Sequence, residues 1–306
     1  MHVTAVVIPT YNRRETLLLA LKAVFEALPP AHRVLVVDSG SSDGTRESVR
    51  ARYPQVDLIE GDASMWWAAA VNRGVQRAKE LGCTYVLTYN DDNVATPGLF
   101  SALGEAAAAD SGCIIGAACC YLDRPEIAFF SGRMQARGSD RFYYLDRDAP
   151  LAEIGDRSGP VDMLHGMCTL FPMAVFDTVG LFDEKAFPQV FADDDLLMRA
   201  KAAGFTLRVC TRAVVLNDRS KTGVNPYDRR LGPRGCVRLL TSRNSTFQVV
   251  ARTRFLWRHR TSTFRFCKTW LLDYLRLLAL VTCRWLLPQR AFYRIGIGWT
   301  RRLQRL

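Results

Sequence analysis

Two acidic side chains stand together in Asn90-Asp91-Asp92, directly after the apolar run Tyr85-Val86-Leu87-Thr88-Tyr89. Adjacent carboxylates repel unless a cation sits between them. A pair at the end of a buried strand therefore suits a hard divalent ion, Mg²⁺ or Mn²⁺, holding a diphosphate ligand. The chemistry this suggests is departure of a metal-stabilised phosphate; the rival explanation is a solvated turn, which Asn and Asp favour for backbone reasons alone. A second acid, Asp38, closes Val34-Leu35-Val36-Val37 and is placed to hydrogen-bond a uracil or thymine imide or a ribose hydroxyl. Asp43 stands where a helix begins and reads as its N-cap. A run of three acids, Asp193-Asp194-Asp195, precedes Leu196-Leu197-Met198-Arg199. Acids at a helix start are favoured by the helix dipole without any catalysis, and Asp195 can pair with Arg199 one turn on.

These side chains need a scaffold, and the pattern along the chain describes one. Short apolar runs at Val3 to Ile8, Val34 to Val37, Val56 to Ile59 and Tyr85 to Tyr89 alternate with helical patterns. The helices run over Arg14 to Ala27, Asp43 to Arg52 and about Ser64 to Leu81. This alternation marks successive βαβ units and a parallel sheet, in which ligands bind beyond the carboxyl ends of the strands. Pro9 to Arg13, Asp38 to Thr45 and Asn90-Asp91-Asp92 all fall at such ends and can converge on one crevice. Pro97 opens a further helix, and Cys113 to Cys119 reads as another buried strand. Residues 121–160 mix antiparallel strands with loops. Regularity returns at Val161 to Gly166 and Pro172 to Val179, then in a helix from about Asp194 to Ala203 with Gly204 after it. Gly40 and Gly44 do not form G-x-G-x-x-G, which argues against an oxidoreductase with a dinucleotide fold.

With 306 residues, 49% apolar and 10% aromatic, the chain can bury one large core or two modest ones, which excludes a disordered protein. The nine cysteines are scattered without a C-x-x-C pair, so they read as reduced thiols of a cytoplasmic protein. The amino end lacks the basic start and apolar stretch of a signal peptide. The net charge of +11 hides an asymmetry: residues 226–306 carry 18 Lys and Arg against Asp228 and Asp273, while residues 1–225 are net acidic. The division expected is an acidic body at 1–225 and a basic helical tail at 226–306. Such a tail suits nucleic acid or an anionic membrane surface. The run from Trp270 to Leu287 is interrupted by Asp273, Arg276 and Arg284, so it makes a poor membrane span. With Trp257, Trp270, Trp285 and Trp299 it fits a helix lying in the headgroup region of an anionic leaflet. The alternative is an amphipathic helical pair packed on the body or on a second subunit in a homo-oligomer.

Ala5-Val6-Val7-Ile8-Pro9-Thr10-Tyr11-Asn12-Arg13, Val37-Asp38-Ser39-Gly40-Ser41-Ser42-Asp43-Gly44-Thr45 and Asn90-Asp91-Asp92, in that order, resemble a family 2 glycosyltransferase. The resemblance continues through Gly180-Leu181-Phe182-Asp183-Glu184 and Asp193-Asp194-Asp195-Leu196 to about Asn225. Within the family it is similar to the rhamnosyltransferase-like enzymes of bacterial surface polysaccharide and O-antigen assembly. It implies an α/β GT-A fold, a Rossmann-like mixed sheet flanked by helices. It also implies inverting, metal-dependent transfer of a sugar such as rhamnose from a dTDP- or UDP-sugar to a glycan or lipid-linked acceptor. Residue by residue, Pro9, Thr10, Tyr11 and Arg13 would line the base and ribose, Asp38 would contact the base, and Arg73 would approach the diphosphate. Trp66 and Trp67 would wall the donor pocket or serve as core aromatics. Asp92 would be the main metal ligand, with Asp91 ligating or orienting the sugar; Asn90, at the first position of the usual D-x-D, removes one negative charge.

Inversion needs a carboxylate opposite the leaving group to take the acceptor's proton. The resemblance assigns that role to Asp193, with Asp194 beside it in the pocket. Relatives place a metal-binding His some twenty residues later. Here Val214 to Gly223 contains none, and the histidines are His2, His32, His165 and His259. Asn217 or Asp218 would then offer an oxygen, favouring Mg²⁺ or Mn²⁺, while Arg219, Ser220 and Lys221 would clamp the phosphates. His165-Gly166 would lie on the acceptor side. Expected partners are therefore a nucleotide-diphosphate sugar, a glycan or lipid-linked acceptor and the inner face of the cytoplasmic membrane. Two rival functions stand beside this one: nucleic-acid binding through the basic tail, for which no recognisable module is present, and an inactive assembly scaffold, suggested by Asn90 and the missing His.

Overall fold

The strand β1 (Thr4–Thr10) is buried from Ala5 onward, because the sheet it enters is covered on both faces. In the computed structural model, which describes residues 3–137, 140–156, 158–218 and 231–288, it is followed by α1 (Arg14–Ala27), β2 (Arg33–Asp38), α2 (Thr45–Arg52), β3 (Asp57–Glu60), α3 (Trp67–Glu80) and β4 (Tyr85–Tyr89). β3, β2, β1 and β4 lie side by side and parallel, with Thr10 opposite Asp38 and Asp38 opposite Glu60 at their carboxyl ends. Helix α3 packs closely on this sheet through small residues, among them Ala68, Ala70, Gly74 and Ala78.

The chain goes on through β5 (Asn93–Ala95), α4 (Leu99–Ala109), β6 (Ile114–Tyr121), β7 (Ile127–Phe130), β8 (Arg133–Gln135), β9 (Phe142–Tyr144), β10 (Ala149–Pro150), α5 (Leu151–Ile154) and β11 (Ser158–Pro160). β12 (Cys168–Pro172), α6 (Met173–Val179), α7 (Ala192–Ala202) and β13 (Leu207–Asn217) complete the mixed sheet. β12 runs antiparallel to β4, and β13 pairs with β5, β6 and β11. This pairing brings Asn217, at the end of β13, opposite Asn93, just past the acidic pair. The last helices are α8 (Pro233–Thr241), α9 (Val249–Arg258) and α10 (Thr263–Leu286).

Several elements differ from expectation. Helix α2 begins at Thr45, with Gly44 in the left-handed conformation before it. Asp43 is therefore no simple N-cap: its Oδ1 accepts from Thr45 N, and its Oδ2 reaches across to Arg14 N at the start of α1. The regularity expected at Val161 to Gly166 amounts to one bridge, from Met163 to Arg133. Helix α3 starts at Trp67, later than expected, since the preceding loop turns on Asp62 hydrogen bonds to Ser64 and Met65.

The described residues fall into two compact units, drawn from Met1–Met134 with Tyr144–Lys221 and from Gln135–Tyr143 with Thr222–Leu306. The sequence-based boundary at 225 lies four residues beyond this one, and the sequence gives no sign that 135–143 joins the second unit. That unit has a small apolar core of Leu231, Leu239 and Leu277, with Phe247, Tyr274, Leu280 and Val281 against it. Asp273 is buried there and takes ion pairs from both Arg141 and Arg252. Trp299, Arg219 and Lys221 lie outside the described residues.

Candidate active site

The first unit builds its site along the carboxyl ends of β3, β2, β1 and β4. Two loops there are tied together: Asn12, in the left-handed region at φ 51°, donates its N–H to Ser41 Oγ and accepts from Ser42 N. Asn is among the residues that tolerate that conformation. Gly40, at φ 83°, lies so close to the Asp62-Ala63 backbone that a Cβ would sit 2.8 Å from Ala63 N. Asp38 is fully buried between these loops. Its Oδ2 accepts from Ser41 N and from Arg46, while Oδ1 has no hydrogen-bond partner among the described residues. A buried, unpaired carboxylate oxygen costs about 1–3 kcal/mol.

Next along the rim, Thr10 Oγ1 donates to Asp91 Oδ2 at 2.8 Å, and Arg13 bridges both acids, reaching Asp91 at 2.6 Å and Asp92 at 3.1 Å. Burial, against the opposing charge of Arg13, pushes the Asp91 carboxyl up to about 6. Pro9 is buried within β1, whereas Tyr11 is half exposed above it. Asn217 is buried and its Nδ2 donates to Asp92 Oδ1 at 2.8 Å and to Asn93 Oδ1 at 2.9 Å. In this orientation Asn217 anchors Asp92 by its amide nitrogen and turns no oxygen to the pair, contrary to the expected ligand role. Asp218 follows with its N–H toward the Asp92 carbonyl at 3.4 Å. Asn90 is also committed: its Oδ1 accepts from Trp67 Nε1 at 3.0 Å.

No group of three or more His, Cys, Asp or Glu among the described residues could by itself hold a metal ion. The donor set nevertheless fits a divalent ion in one respect: Asp91 and Asp92 already converge on a single positive group, the Arg13 guanidinium. Mg²⁺-type sites often use only one or two carboxylates and complete their shell with substrate phosphates and water.

Trp67 connects this pair to the second acidic motif. Its ring stands edge-on to Phe182, and Trp67 N and Ala68 N are capped by Gln189 Oε1 and Pro188 O from the segment leading into α7. Asn72 holds the same segment, bonding Phe182 at both N–H and C=O and Glu184 at its side chain. On the far side of Trp67, Gly166 leaves no room for a Cβ, which would meet Trp67 Cη2 at 2.7 Å and Asp193 Cβ at 3.0 Å. Asp193, Gly166, Trp67 and Asn90 thus form one contiguous wall.

The three acids at the start of α7 have separate partners. Asp195 is fully buried and pairs with Arg199 at 2.9 Å. Asp194, expected in the donor or acceptor pocket, is paired with Arg133, which also donates to Leu164 O. Asp193 keeps about a fifth of its side chain exposed; its Oδ2 accepts from Gly166 N at 2.8 Å, and its Oδ1 accepts nothing among the described residues. Burial would raise the Asp193 carboxyl, but His165, the Gly166 N–H and Arg133 outweigh it and hold it below the usual carboxylate value. His165 Nδ1 lies 3.9 Å away, with its ring packed on Phe130, and burial lowers its own pKa.

Arg73 lies beside the loop that precedes α3, its Nη1 3.9 Å from the Met65 sulfur. It lies six positions after Trp67 on α3, a rotation of roughly 120° away from Trp67 at about 100° per residue. There it lines a cavity of about 580 Å³ with Asp62, Met65, Gln76 and Lys185, and none of Asp38, Asp91, Asp92 or Asp193 borders it. Trp66, just before the helix, is half-buried. Two residues that pattern reasoning passed over are Arg46 and Arg133. Arg46 bonds Asp38, Glu60 and Gly61 O, and an arginine in a helix's first turn, against the dipole, is a signal that it has another task. Arg133 sits in the irregular middle, where the sequence offers no comparable cue.

The sequence profile described as Glycosyl transferase family 2 matches residues 5–178, more than half of the chain. The chain belongs to this family. The enzyme is therefore a glycosyltransferase. It is 28% identical over 220 residues to an N-acetylglucosaminyl-diphospho-decaprenol L-rhamnosyltransferase of Mycobacterium tuberculosis, covering 63% of this chain and 69% of that protein. It is 33% identical over 117 residues to polyprenol monophosphomannose synthase of Mycolicibacterium smegmatis, covering 37% of this chain and 44% of that one. Among solved structures it is similar to the mannosyltransferase PcManGT of Pyrobaculum calidifontis, in complex with GDP-Man and Mn²⁺, with TM-score 0.55, 17% identity, and 97% of this chain and 79% of that chain covered. It is also similar to S. aureus TarS, with TM-score 0.53 and 15% identity over 86% of this chain; the glycosyltransferase spans only 44% of the TarS chain. At these identities the likeness shows the fold, which is GT-A.

Proposed function

We propose that this glycosyltransferase moves a sugar, rhamnose being the first candidate, from a dTDP- or UDP-sugar to a hydroxyl of a lipid-linked glycan, with inversion, in bacterial surface polysaccharide assembly. The observation that carries the reading is the continuous wall from Asp193 through Gly166 and Trp67 to the Asn90-Asp91-Asp92 turn. Of the three acids at α7, Asp193 is the most exposed, at 22% of its side chain against 13% for Asp194 and 0% for Asp195, and it stays ionised at neutral pH, as a general base must. In this scheme Asp193 Oδ1 takes the acceptor hydroxyl's proton as that oxygen attacks the anomeric carbon and the nucleoside diphosphate departs. In the same scheme Pro9, Thr10, Tyr11 and Arg13 line the base and ribose, with Asp38 on the base side. A divalent cation held by Asp91 and Asp92 would supply positive charge to the leaving diphosphate. His165 and Gly166 support the base from the acceptor side. The rhamnosyl donor and prenyl-linked acceptor are suggested by the name of the M. tuberculosis relative.

The second unit, in this reading, docks on an anionic membrane surface. Among the described residues no helix is long and apolar enough to cross a bilayer. Helix α10 instead exposes Leu271, Leu275 and Leu278 on one face, with Phe264 and Leu286 exposed near its ends. Arg265, Lys268 and Arg276 are exposed on the same helix, which complements anionic headgroups.

The test is a thermal-shift screen of nucleoside diphosphates and nucleotide sugars with Mn²⁺, followed by transfer to an N-acetylglucosaminyl-diphospho-prenol acceptor. A matching donor raises the melting temperature and yields product. A screen in which dTDP- and UDP-sugars shift nothing would remove the donor assignment.

A further inference from the structure

The carboxylate oxygens of Asp91 and Asp92 are held in two different ways. Asp91 Oδ2 and Asp92 Oδ1 accept from neutral donors on strand ends, Thr10 Oγ1 and Asn217 Nδ2, each at 2.8 Å. Asp91 Oδ1 and Asp92 Oδ2 both accept from one guanidinium, that of Arg13, at 2.6 and 3.1 Å. Side-chain exposure is 5% for Asp91 and 9% for Asp92, so ionising both requires a cation between them. Arg13 supplies it. Burial opposes the charge of Arg13, but the two acids more than offset that and keep it protonated. Its guanidinium makes no other hydrogen bond among the described residues and is 29% exposed, so it can swing away without breaking a second contact.

We propose that Arg13 is the exchangeable counter-cation of the Asp91-Asp92 pair: a divalent ion enters only as the guanidinium leaves, and the released guanidinium pairs with the donor's diphosphate. The proposal rests on the divalent-cation reading above and adds to it a coupling. Guanidinium and metal ion compete for the same two oxygens and repel one another, so the ion binds weakly to the free enzyme. A nucleoside diphosphate offers Arg13 a new anionic partner and thereby favours the exchange. Metal and nucleotide then strengthen each other's binding by the same factor, as linkage requires. Asn217 and Thr10 keep the two carboxylates in place throughout, so the exchange needs a side-chain rotation and no strand movement.

The test measures Mn²⁺ binding to the full chain without nucleotide, by calorimetry and by the loss of the free-ion paramagnetic signal, then repeats it with UDP or dTDP. Arg13→Met, which fills similar space without charge, is expected to bind Mn²⁺ roughly tenfold more tightly than wild type and to lose most of the nucleotide enhancement. Arg13→Lys keeps a charge but cannot bridge both carboxylates, and is expected to fall between them. It carries the test if Arg13→Met does not fold. Wild-type Mn²⁺ affinity in both variants, with Asp92→Asn abolishing binding in every background, would overturn the exchange and leave the metal reading standing. If Mn²⁺ binds none of these proteins, or binds equally after Asp92→Asn, the metal reading falls and the exchange falls with it.

Discussion

Gly166→Ala asks whether Trp67, Gly166 and Asp193 form one packed wall. The glycine's φ is not in the left-handed region, so alanine meets no backbone strain; space alone decides the outcome. Its Cβ would stand 2.7 Å from Trp67 Cη2 and 3.0 Å from both Trp67 Cζ2 and Asp193 Cβ. Favourable carbon contacts lie at about 3.5–4.0 Å, so one neighbour has to retreat by roughly 0.5–1 Å. The indole is fixed by its bond to Asn90 and by the edge of Phe182, so part of the displacement falls on Asp193. Overpacking of this size costs about 1–3 kcal/mol of stability. A base misplaced by about 1 Å can lose up to ~100-fold in rate. We expect kcat to fall 10- to 100-fold with donor affinity within about twofold, because Asp38, Asp91 and Asp92 are untouched. Adding Trp67→Phe, which removes the two crowded ring atoms, should recover part of the loss, a result that general destabilisation would not give. Wild-type turnover in Gly166→Ala, or no recovery in the double variant, would refute the packing argument.

Three further outcomes follow. Arg133→Met leaves the largely buried Asp194 without its partner, and denaturant unfolding should show a loss of up to about 3 kcal/mol. Nucleotide binding that depends on Mn²⁺ should weaken as pH falls through about 6: Asp91 is protonated below that value and cannot hold a cation, while Asp193, held low, stays ionised. The sign is that binding rises with pH up to about 6 and levels off above it, and titration calorimetry from pH 5 to 8 checks this. Leu271→Glu with Leu278→Glu should abolish co-sedimentation with phosphatidylglycerol vesicles and leave Mn²⁺ binding unchanged; retained sedimentation, or a dimer that dissociates in the variant, would point to a second subunit instead.

Much of the catalytic frame is legible from residue order. The strands ending at Thr10, Asp38 and Tyr89 announce themselves because apolar runs buried on both faces differ sharply from the polar loops that follow. Asp195 and Arg199 pair as their four-residue spacing implies. Contacts made across the fold are less legible. Asn217 looks like an oxygen donor in sequence, but strand pairing brings its amide nitrogen against Asp92, 125 residues away. Asp194 looks like a companion to Asp193 until Arg133, 61 residues earlier, is found beside it. Nor does charge counting foresee that Asp273, an apparent flaw in an apolar run, is the buried partner of Arg141 and Arg252.

The central claim is that Asp193 takes the acceptor's proton while the Asp91-Asp92 rim holds the donor. Single-turnover transfer by Asp193→Asn, with nucleotide-sugar affinity measured on the same preparation, tests it most directly. The account predicts unchanged donor affinity and a rate lower by at least roughly 100-fold, the usual range for loss of a general base. Transfer at the wild-type rate with intact donor binding would contradict it.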